Sequence, residues 1–245
     1  KKRNTFLSQY MLTPVAPGKV RLDPGLLKSY SEEPILRRVQ GNLRMFLRDL
    51  PVVGASLYFD PSQGKVDSDD SVATLELATE NGHDFIHRQL KCEGEVQSQC
   101  DQIIDSIILP FNIPGIRIET NGPGAFVPAV MRARLKERGI RCGVTEHFNI
   151  VKKSNRILDA WEPRMASGTL YAHASVLAGD LPTQMRDWNP VKTGAKDDYL
   201  DSGAGALEMT PIRIGRAVEA GEIKEQEDWR PNTGVSEVQL DLPVY

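Results

Sequence analysis

Cysteine and histidine are scarce in this sequence, and their spacing fits neither a zinc site nor a disulfide framework. The cysteines are odd in number, with no CxxC pair and no cysteine–histidine pattern typical of zinc. The cysteines are Cys92, Cys100 and Cys142, and the histidines are His83, His87, His147 and His173. This usage favours a protein of a reducing compartment.

The sequence also lacks an excess of positive charge. Its 30 lysines and arginines stand against 33 aspartates and glutamates, which gives a formal net charge of −3. A chain without a net basic field can bind nucleic acid only through a local basic surface. With 40% hydrophobic and 26% charged residues over 245 positions, the chain has the composition of a globular protein with a full core.

Several catalytic and targeting motifs are missing. No GxSxG, HExxH or GxxxxGK[ST] sequence occurs, which argues against a nucleophile elbow, a zinc peptidase helix and a nucleoside-triphosphate loop. No apolar run has the length of a membrane span, and no signal peptide precedes the first polar segment. Because the first residue is Lys1 rather than Met, we expect the chain to be part of a longer protein.

The most informative segment that is present is an acidic helix start at residues 197–201. Asp197 is a natural N-cap, and Asp198 and Asp201 lie three positions apart, on one face of the predicted helix. If these carboxylates are buried, the helix dipole is too weak to compensate their charge, and a bound cation is the usual solution. The alternative is a solvated, acid-capped helix start.

The N-terminal half predicts an arm followed by antiparallel strands. Residues 1–50 are rich in proline and glycine, as in a connecting arm, with one helix predicted over 34–50 from apolar residues at helical spacing. The continuous apolar run at 52–59 predicts a buried strand that ends at Asp60. Two further strands, at 72–78 and 84–90, flank an Asn-Gly turn.

Strand–helix–strand units are predicted next. Strands at 113–119 and 141–145 enclose a helix at 125–138, which is the pattern of parallel pairing. Further helices are predicted from residue 154 and over 176–188, and residues 211–245 have no firm assignment. The fold class is therefore α/β, with a mixed sheet that begins with three antiparallel strands, continues with parallel strands and is flanked by helices.

Two carboxylates follow buried strands of this predicted sheet. Asp60 ends the first strand and Glu119 ends the strand at 113–119. Ligands of α/β sheets are held at strand ends, so neighbouring strands would bring these groups together, with Asp197 or Asp198 as a third. Such oxygen-rich sites suit Mg²⁺ or Mn²⁺, and two ions stabilise both oxygens of a phosphoryl displacement. The alternative is that Asp60 is an ordinary turn residue and Glu119 an ordinary strand terminus.

Three acidic stretches together resemble a known family. They lie at 58–61, 118–124 and 196–201, and two weaker similarities lie at 5–14 and 153–157. In order and spacing they resemble the C-terminal nuclease domain of tailed-bacteriophage terminase large subunits, a ribonuclease H-like domain. The resemblance spans about residues 5–210. One departure is Lys196, which stands where many relatives carry histidine.

The resemblance implies a metal-dependent endonuclease that cleaves concatemeric viral DNA during genome packaging, with two divalent cations, Mg²⁺ or Mn²⁺. The implied catalytic residues are Asp60, Glu119 and Asp198, and the implied metal ligands are Asp60, Glu119, Asp197, Asp198 and Asp201. Basic side chains are candidates for holding DNA phosphates, or else form a solvated face. These are Lys152, Lys153, Arg156, Arg132, Lys136, Arg138 and Lys196.

The resemblance also implies an organisation and partners. Residues 1–50 would be an arm from an absent ATPase domain of the same polypeptide, 51–210 the nuclease domain and 211–245 a C-terminal extension. The partners would be double-stranded DNA, the terminase small subunit and the portal protein, with no membrane, in the host cell cytoplasm. Two alternatives remain: another ribonuclease H-like enzyme, such as a transposase or junction resolvase, and a non-catalytic docking module for portal or small subunit.

Overall fold

A nine-stranded sheet organises the part of the chain that the computed structural model describes, which is residues 21–39, 42–62, 70–191 and 196–214. The strands are β1 (Lys28–Tyr30), β2 (Ile35–Val39), β3 (Asn42–Leu47), β4 (Leu50–Asp60), β5 (Ser71–Thr79), β6 (Asp84–Cys92), β7 (Gly115–Glu119), β8 (Gly143–His147) and β9 (Leu170–His173). The helices are α1 (Val96–Ile103), α2 (Val127–Glu137), α3 (Lys153–Ser167), α4 (Ala174–Leu177), α5 (Leu181–Asp187) and α6 (Asp198–Leu207).

The strand pairing is mixed in the predicted way. β4, β5 and β6 form an antiparallel meander, and β7 pairs with β4 in parallel and with β8 in parallel. On the other side, β9 pairs with β6 and β1 with β9, again in parallel. The antiparallel start followed by parallel strands confirms the predicted ribonuclease H-like mixed sheet. It also makes β4 and β7 direct neighbours, whose carboxyl ends lie at one edge.

Helices cover the two faces of the sheet with separate apolar clusters. Alternate residues of β4, such as Leu57 and Phe59, pack with α1 and α2. The opposite face packs with α3, α5 and α6 around Trp161. A Cβ atom at Gly205 of α6 would lie 2.4 Å from the Tyr58 ring, so this helix crosses β4 at the closest approach that a glycine permits. α6 is therefore held directly against the strand that ends at Asp60.

The helix predicted over 34–50 is wrong, because this segment forms β2 and β3. Val39 pairs with Asn42, and Leu47 pairs with Leu50 across a two-residue turn. The two turn residues, at 48 and 49, have φ values of 49° and 64°, as hairpin turns of the tightest kind require. The apolar residues of this segment have helical spacing, but cross-strand pairing determines its structure. Three strands of the predicted arm, β1, β2 and β3, belong to the sheet, and residues 1–20 of that arm lie outside the described residues.

The remaining predicted elements agree with the structure, with small shifts. β4 to β8 and α1 to α3 lie where strands and helices were predicted. The helix predicted over 176–188 is instead two short helices, α4 and α5, with Gly179 and Pro182 at the break. Ile212 makes an isolated bridge to Ala55, with both backbone hydrogen bonds at 2.9 Å. Residues 215–245 lie outside the described residues. No helix in the described ranges has the length and apolar character of a membrane span.

Candidate metal centre

Three carboxylates meet at the carboxyl edge of the sheet. Asp60 and Glu119 end the parallel neighbours β4 and β7, and Asp201 lies in the first turn of α6. One carboxylate oxygen from each residue can be chosen so that all three lie within 4.8 Å of one another. Asp60 is partly exposed, whereas Asp201 is only 3% exposed. The predicted meeting of the two strand ends is present in the structure.

The acidic helix start contributes Asp201 to this group, and neither Asp197 nor Asp198. The rotation of α6 explains the difference. Asp201 lies one turn before Gly205, on the face that packs against β4. Asp198, which is 2% exposed, lies one turn before Ser202, whose hydroxyl hydrogen-bonds Thr74 of β5 at 2.8 Å. The face of α6 that carries Asp198 is therefore turned towards β5.

Two basic residues from the start of α3 neutralise part of the cluster. The Arg156 guanidinium, 3% exposed, donates from Nη2 to Asp201 Oδ1, and its Nη1 lies 3.3 Å from Glu119 Oε2. Lys153 Nζ lies 3.1 Å from Asp201 Oδ2 and 2.7 Å from Asp197 Oδ1. Both oxygens of Asp201 are thus ion-paired, and Asp197 acts on the group through Lys153.

Hydrogen bonds fix the orientation of Glu119. The Tyr58 hydroxyl donates to Glu119 Oε2 at 2.6 Å, and Asn149 Nδ2 donates to the same oxygen at 3.1 Å. Arg156 approaches this oxygen as well. His147 Nδ1 lies 3.2 Å from the Tyr58 hydroxyl oxygen. Because the phenol donates its proton to Glu119, this oxygen can only accept from the His147 ring, whose Nδ1 then carries the proton. Because the donors converge on Oε2, Oε1 is the oxygen that can face a cation.

The electrostatics of the group favour a cation. Desolvation raises the pKa of Asp60 well above its ordinary value, and the neighbouring charges of Asp201 and Glu119 raise it further. Burial lowers the pKa of Lys153, but Asp201 and Asp197 outweigh this effect and leave its pKa raised. Three carboxylate oxygens in such an arrangement are the ligands that Mg²⁺ and Mn²⁺ prefer, and a divalent ion would offset the repulsion that raises the pKa of Asp60.

The structure separates the predicted phosphate-binding residues. Lys153 and Arg156 are engaged with the carboxylates, whereas Lys152 is exposed just before α3. Lys196 is 65% exposed in its side chain and lies 3.9 Å from Asp70. The others lie on α2 or at its end: Arg132 pairs with Glu146, Arg138 pairs with Asp105, and Lys136 is exposed. Lys152 is thus an exposed cation adjoining the centre.

Sequence reasoning missed the residues that support Glu119. Tyr58 was visible only as part of an apolar strand, although its position two residues before Asp60 places both on one face. Asn149 and His147 carried no signal, because their role depends on the pairing of β7 with β8.

No family model matches the sequence, and no curated protein matches it. Solved structures with a similar fold include the nuclease domain of the large terminase subunit gp2 of bacterial virus Sf6, at 9% identity and a TM-score of 0.48, covering 65% of this chain and 89% of that one. The yeast mitochondrial Holliday junction resolvase Ydc2 is 11% identical with a TM-score of 0.37, over 62% and 78% of the chains.

A third similar structure is RuvC of T. thermophilus in complex with a Holliday junction substrate. It is 11% identical with a TM-score of 0.33, covering 63% of this chain and 90% of that one. The Sf6 domain belongs to the class that the sequence resembles. With all three TM-scores below 0.5, the fold of this chain is assigned from its own strand order and its chemistry from its own residues.

Proposed function

We propose that this chain is a metal-dependent nuclease that hydrolyses phosphodiester bonds of DNA. The observation that carries the proposal is the convergence of Asp60, Glu119 and Asp201, with oxygens within 4.8 Å, at the carboxyl ends of two parallel strands. Bound Mg²⁺ or Mn²⁺, in one or two sites, would supply charge stabilisation to the attacking and leaving oxygens of the phosphodiester. We assign the third carboxylate of the centre to Asp201 in place of Asp198.

The chain's own residues divide into ligands, supports and phosphate contacts. Asp60, Asp201 and Glu119 through Oε1 would hold the cations, and the Tyr58 hydroxyl keeps Glu119 in position. Lys153 Nζ lies 3.1 Å from Asp201 Oδ2, so the ammonium group and a cation would share this carboxylate. Lys153 and Lys152 would lie beside the substrate, where a lysine neutralises phosphate without selecting a base sequence.

The finer assignment follows the sequence resemblance. On that basis the protein is an endodeoxyribonuclease that cleaves concatemeric viral DNA during genome packaging, with two metal ions, in the host cell cytoplasm. Its partners would be double-stranded DNA, the terminase small subunit, the portal protein and an ATPase domain of the same polypeptide. Residues 1–50 would then be the connecting arm, 51–210 the nuclease domain and 211–245 a C-terminal extension.

Nicking of supercoiled plasmid DNA by the purified protein tests the proposal. We expect cleavage with Mn²⁺ or Mg²⁺, none with EDTA, and a loss of at least about 100-fold in the Asp60→Asn, Glu119→Gln and Asp201→Asn variants. Glu80→Gln, an exposed residue of the β5–β6 turn, is the matched control and should cut like the parent. Cleavage that survives Asp60→Asn would contradict the proposal, and a strong preference for four-way junctions would favour a resolvase instead.

A further inference from the structure

A set of exposed apolar side chains adjoins the candidate metal centre. Phe148 is 66% exposed, Ile150 87% and Val151 56%, although large apolar side chains such as these are usually buried. These residues, with Asn149, form the segment 148–151 that follows β8, which we call the rim loop. The last residue of β8, His147, is paired with Glu119, so the rim loop begins beside the carboxylate cluster.

The rim loop is fixed in place by hydrogen bonds. The Asn149 side chain points inward and donates to Glu119 Oε2 at 3.1 Å. Its backbone N–H donates to Asn121 Oδ1 at 2.7 Å, and its backbone carbonyl accepts from Asn121 Nδ2 at 2.8 Å. The residues on either side, Phe148 and Ile150, are therefore presented to solvent from an anchored backbone, next to the centre.

The surroundings indicate which occupant these side chains meet. The rim loop leads directly into Lys152, an exposed cation, and then into Lys153 at the carboxylate cluster. A polyanion that reaches the centre must therefore pass the lysines and the apolar side chains together. Apolar and aromatic side chains beside a phosphate-binding surface contact nucleic acid by inserting between bases or stacking on them.

We propose that Phe148 and Ile150 insert into the base stack of the DNA next to the bond that is cut, so that the substrate of this centre is locally unstacked DNA. The inference rests on the proposed nuclease function and specifies its substrate. DNA with bases that are already unpaired should need no such help, because the cost of unstacking is lowest there.

Cleavage of two labelled duplexes of one sequence, one fully paired and one with three unpaired bases at its centre, tests the proposal. With Mn²⁺, we expect the Phe148→Ala/Ile150→Ala variant to cut the paired duplex at least about tenfold more slowly than the parent, since stacking on one base is worth about that factor or more. On the unpaired substrate it should match the parent within about twofold.

The matched control is Ile35→Ala/Leu36→Ala, which removes two other exposed apolar side chains, 46% and 55%, from β2. It should cut both duplexes like the parent. A second measurement uses 2-aminopurine at the duplex centre, with Ca²⁺ in place of Mn²⁺. Binding of the parent should raise the fluorescence by unstacking the base, and binding of the rim-loop variant should not.

Three results would overturn the inference. Equal losses on both duplexes would mean that the rim loop only supports the centre, and no loss on either would mean that it faces another partner, such as a protein. Unchanged 2-aminopurine fluorescence with the parent would contradict base insertion even if the DNA binds. The nuclease proposal fails separately, if the parent cuts neither duplex while the fluorescence still reports binding.

Discussion

Arg156 is the buried cation that holds the carboxylate cluster together, and its removal gives the sharpest energetic prediction. Its guanidinium, 3% exposed, contacts Asp201, whose side chain is 4% exposed, and Glu119, at 12%. Breaking a buried ion pair by removing one partner costs about 3–5 kcal/mol, because the remaining charges stay buried and uncompensated. We therefore expect Arg156→Met to lower the free energy of unfolding by about this amount in EDTA.

A divalent cation should recover part of that loss. In the parent, a cation at 100 times its Kd stabilises the folded state by about 2.7 kcal/mol. The variant no longer has a guanidinium competing for Asp201 and Glu119, so the cation should bind more tightly, and each tenfold gain in affinity adds about 1.4 kcal/mol. The stabilisation by Mn²⁺ should thus be larger in the variant than in the parent.

Urea unfolding with EDTA and with saturating Mn²⁺ measures both effects. Arg134→Met is the matched control, because Arg134 makes two bonds of 2.9 Å to Asp101 but both side chains are partly exposed, at 21% and 30%. It should lower the free energy of unfolding far less than Arg156→Met does, because exposed ion pairs contribute little, and it should leave the response to Mn²⁺ unchanged. A loss below about 1 kcal/mol for Arg156→Met, or equal stabilisation of both proteins by Mn²⁺, would refute the reasoning.

Three further predictions concern the support of the centre and of the sheet. Tyr58→Phe removes the 2.6 Å hydrogen bond to Glu119 and should weaken Mn²⁺ binding, measured by calorimetry, about 10- to 100-fold; unchanged affinity would show that Glu119 needs no such support. Burial raises the pKa of Glu76 to about 8 from 4.5, so its protonated side chain makes stability fall as pH rises from about 4.5 to about 8. Glu76→Gln should make that slope shallower in urea titrations, leaving the part that the raised pKa of Asp60 contributes; an unchanged slope would contradict it. Gly205→Ala places a Cβ atom 2.4 Å from the Tyr58 ring, so it should lower the free energy of unfolding by about 1–3 kcal/mol and weaken Mn²⁺ binding. Gly179→Ala, whose nearest contact is at 3.5 Å, should change neither quantity. Equal effects of the two substitutions would rule out a packing cause.

The positions of Asp60 and Glu119 could be predicted because they depend on local pattern. A continuous apolar run identifies a buried strand, and the residue that ends the run lies at the edge of the sheet. The strand–helix–strand unit at 113–145 then indicated parallel pairing, which places the two strand ends together. Both steps use only periodicity and the order of the elements.

The third carboxylate could not be predicted, because it depends on how α6 is rotated. Asp198 and Asp201 have the same chemistry and lie in the same helical turn, so the sequence cannot distinguish them. Packing decides between them: Gly205 admits the ring of Tyr58 at close range, which turns Asp201 towards β4. The role of Asn149 likewise follows from a loop position that no local pattern encodes.

Anomalous diffraction from crystals of the protein grown with Mn²⁺ tests the central claim most directly. We expect a peak coordinated by Asp60, Asp201 and Glu119 Oε1. A peak coordinated by Asp198 without Asp201, or no peak between the two strand ends at saturating Mn²⁺, would contradict the account.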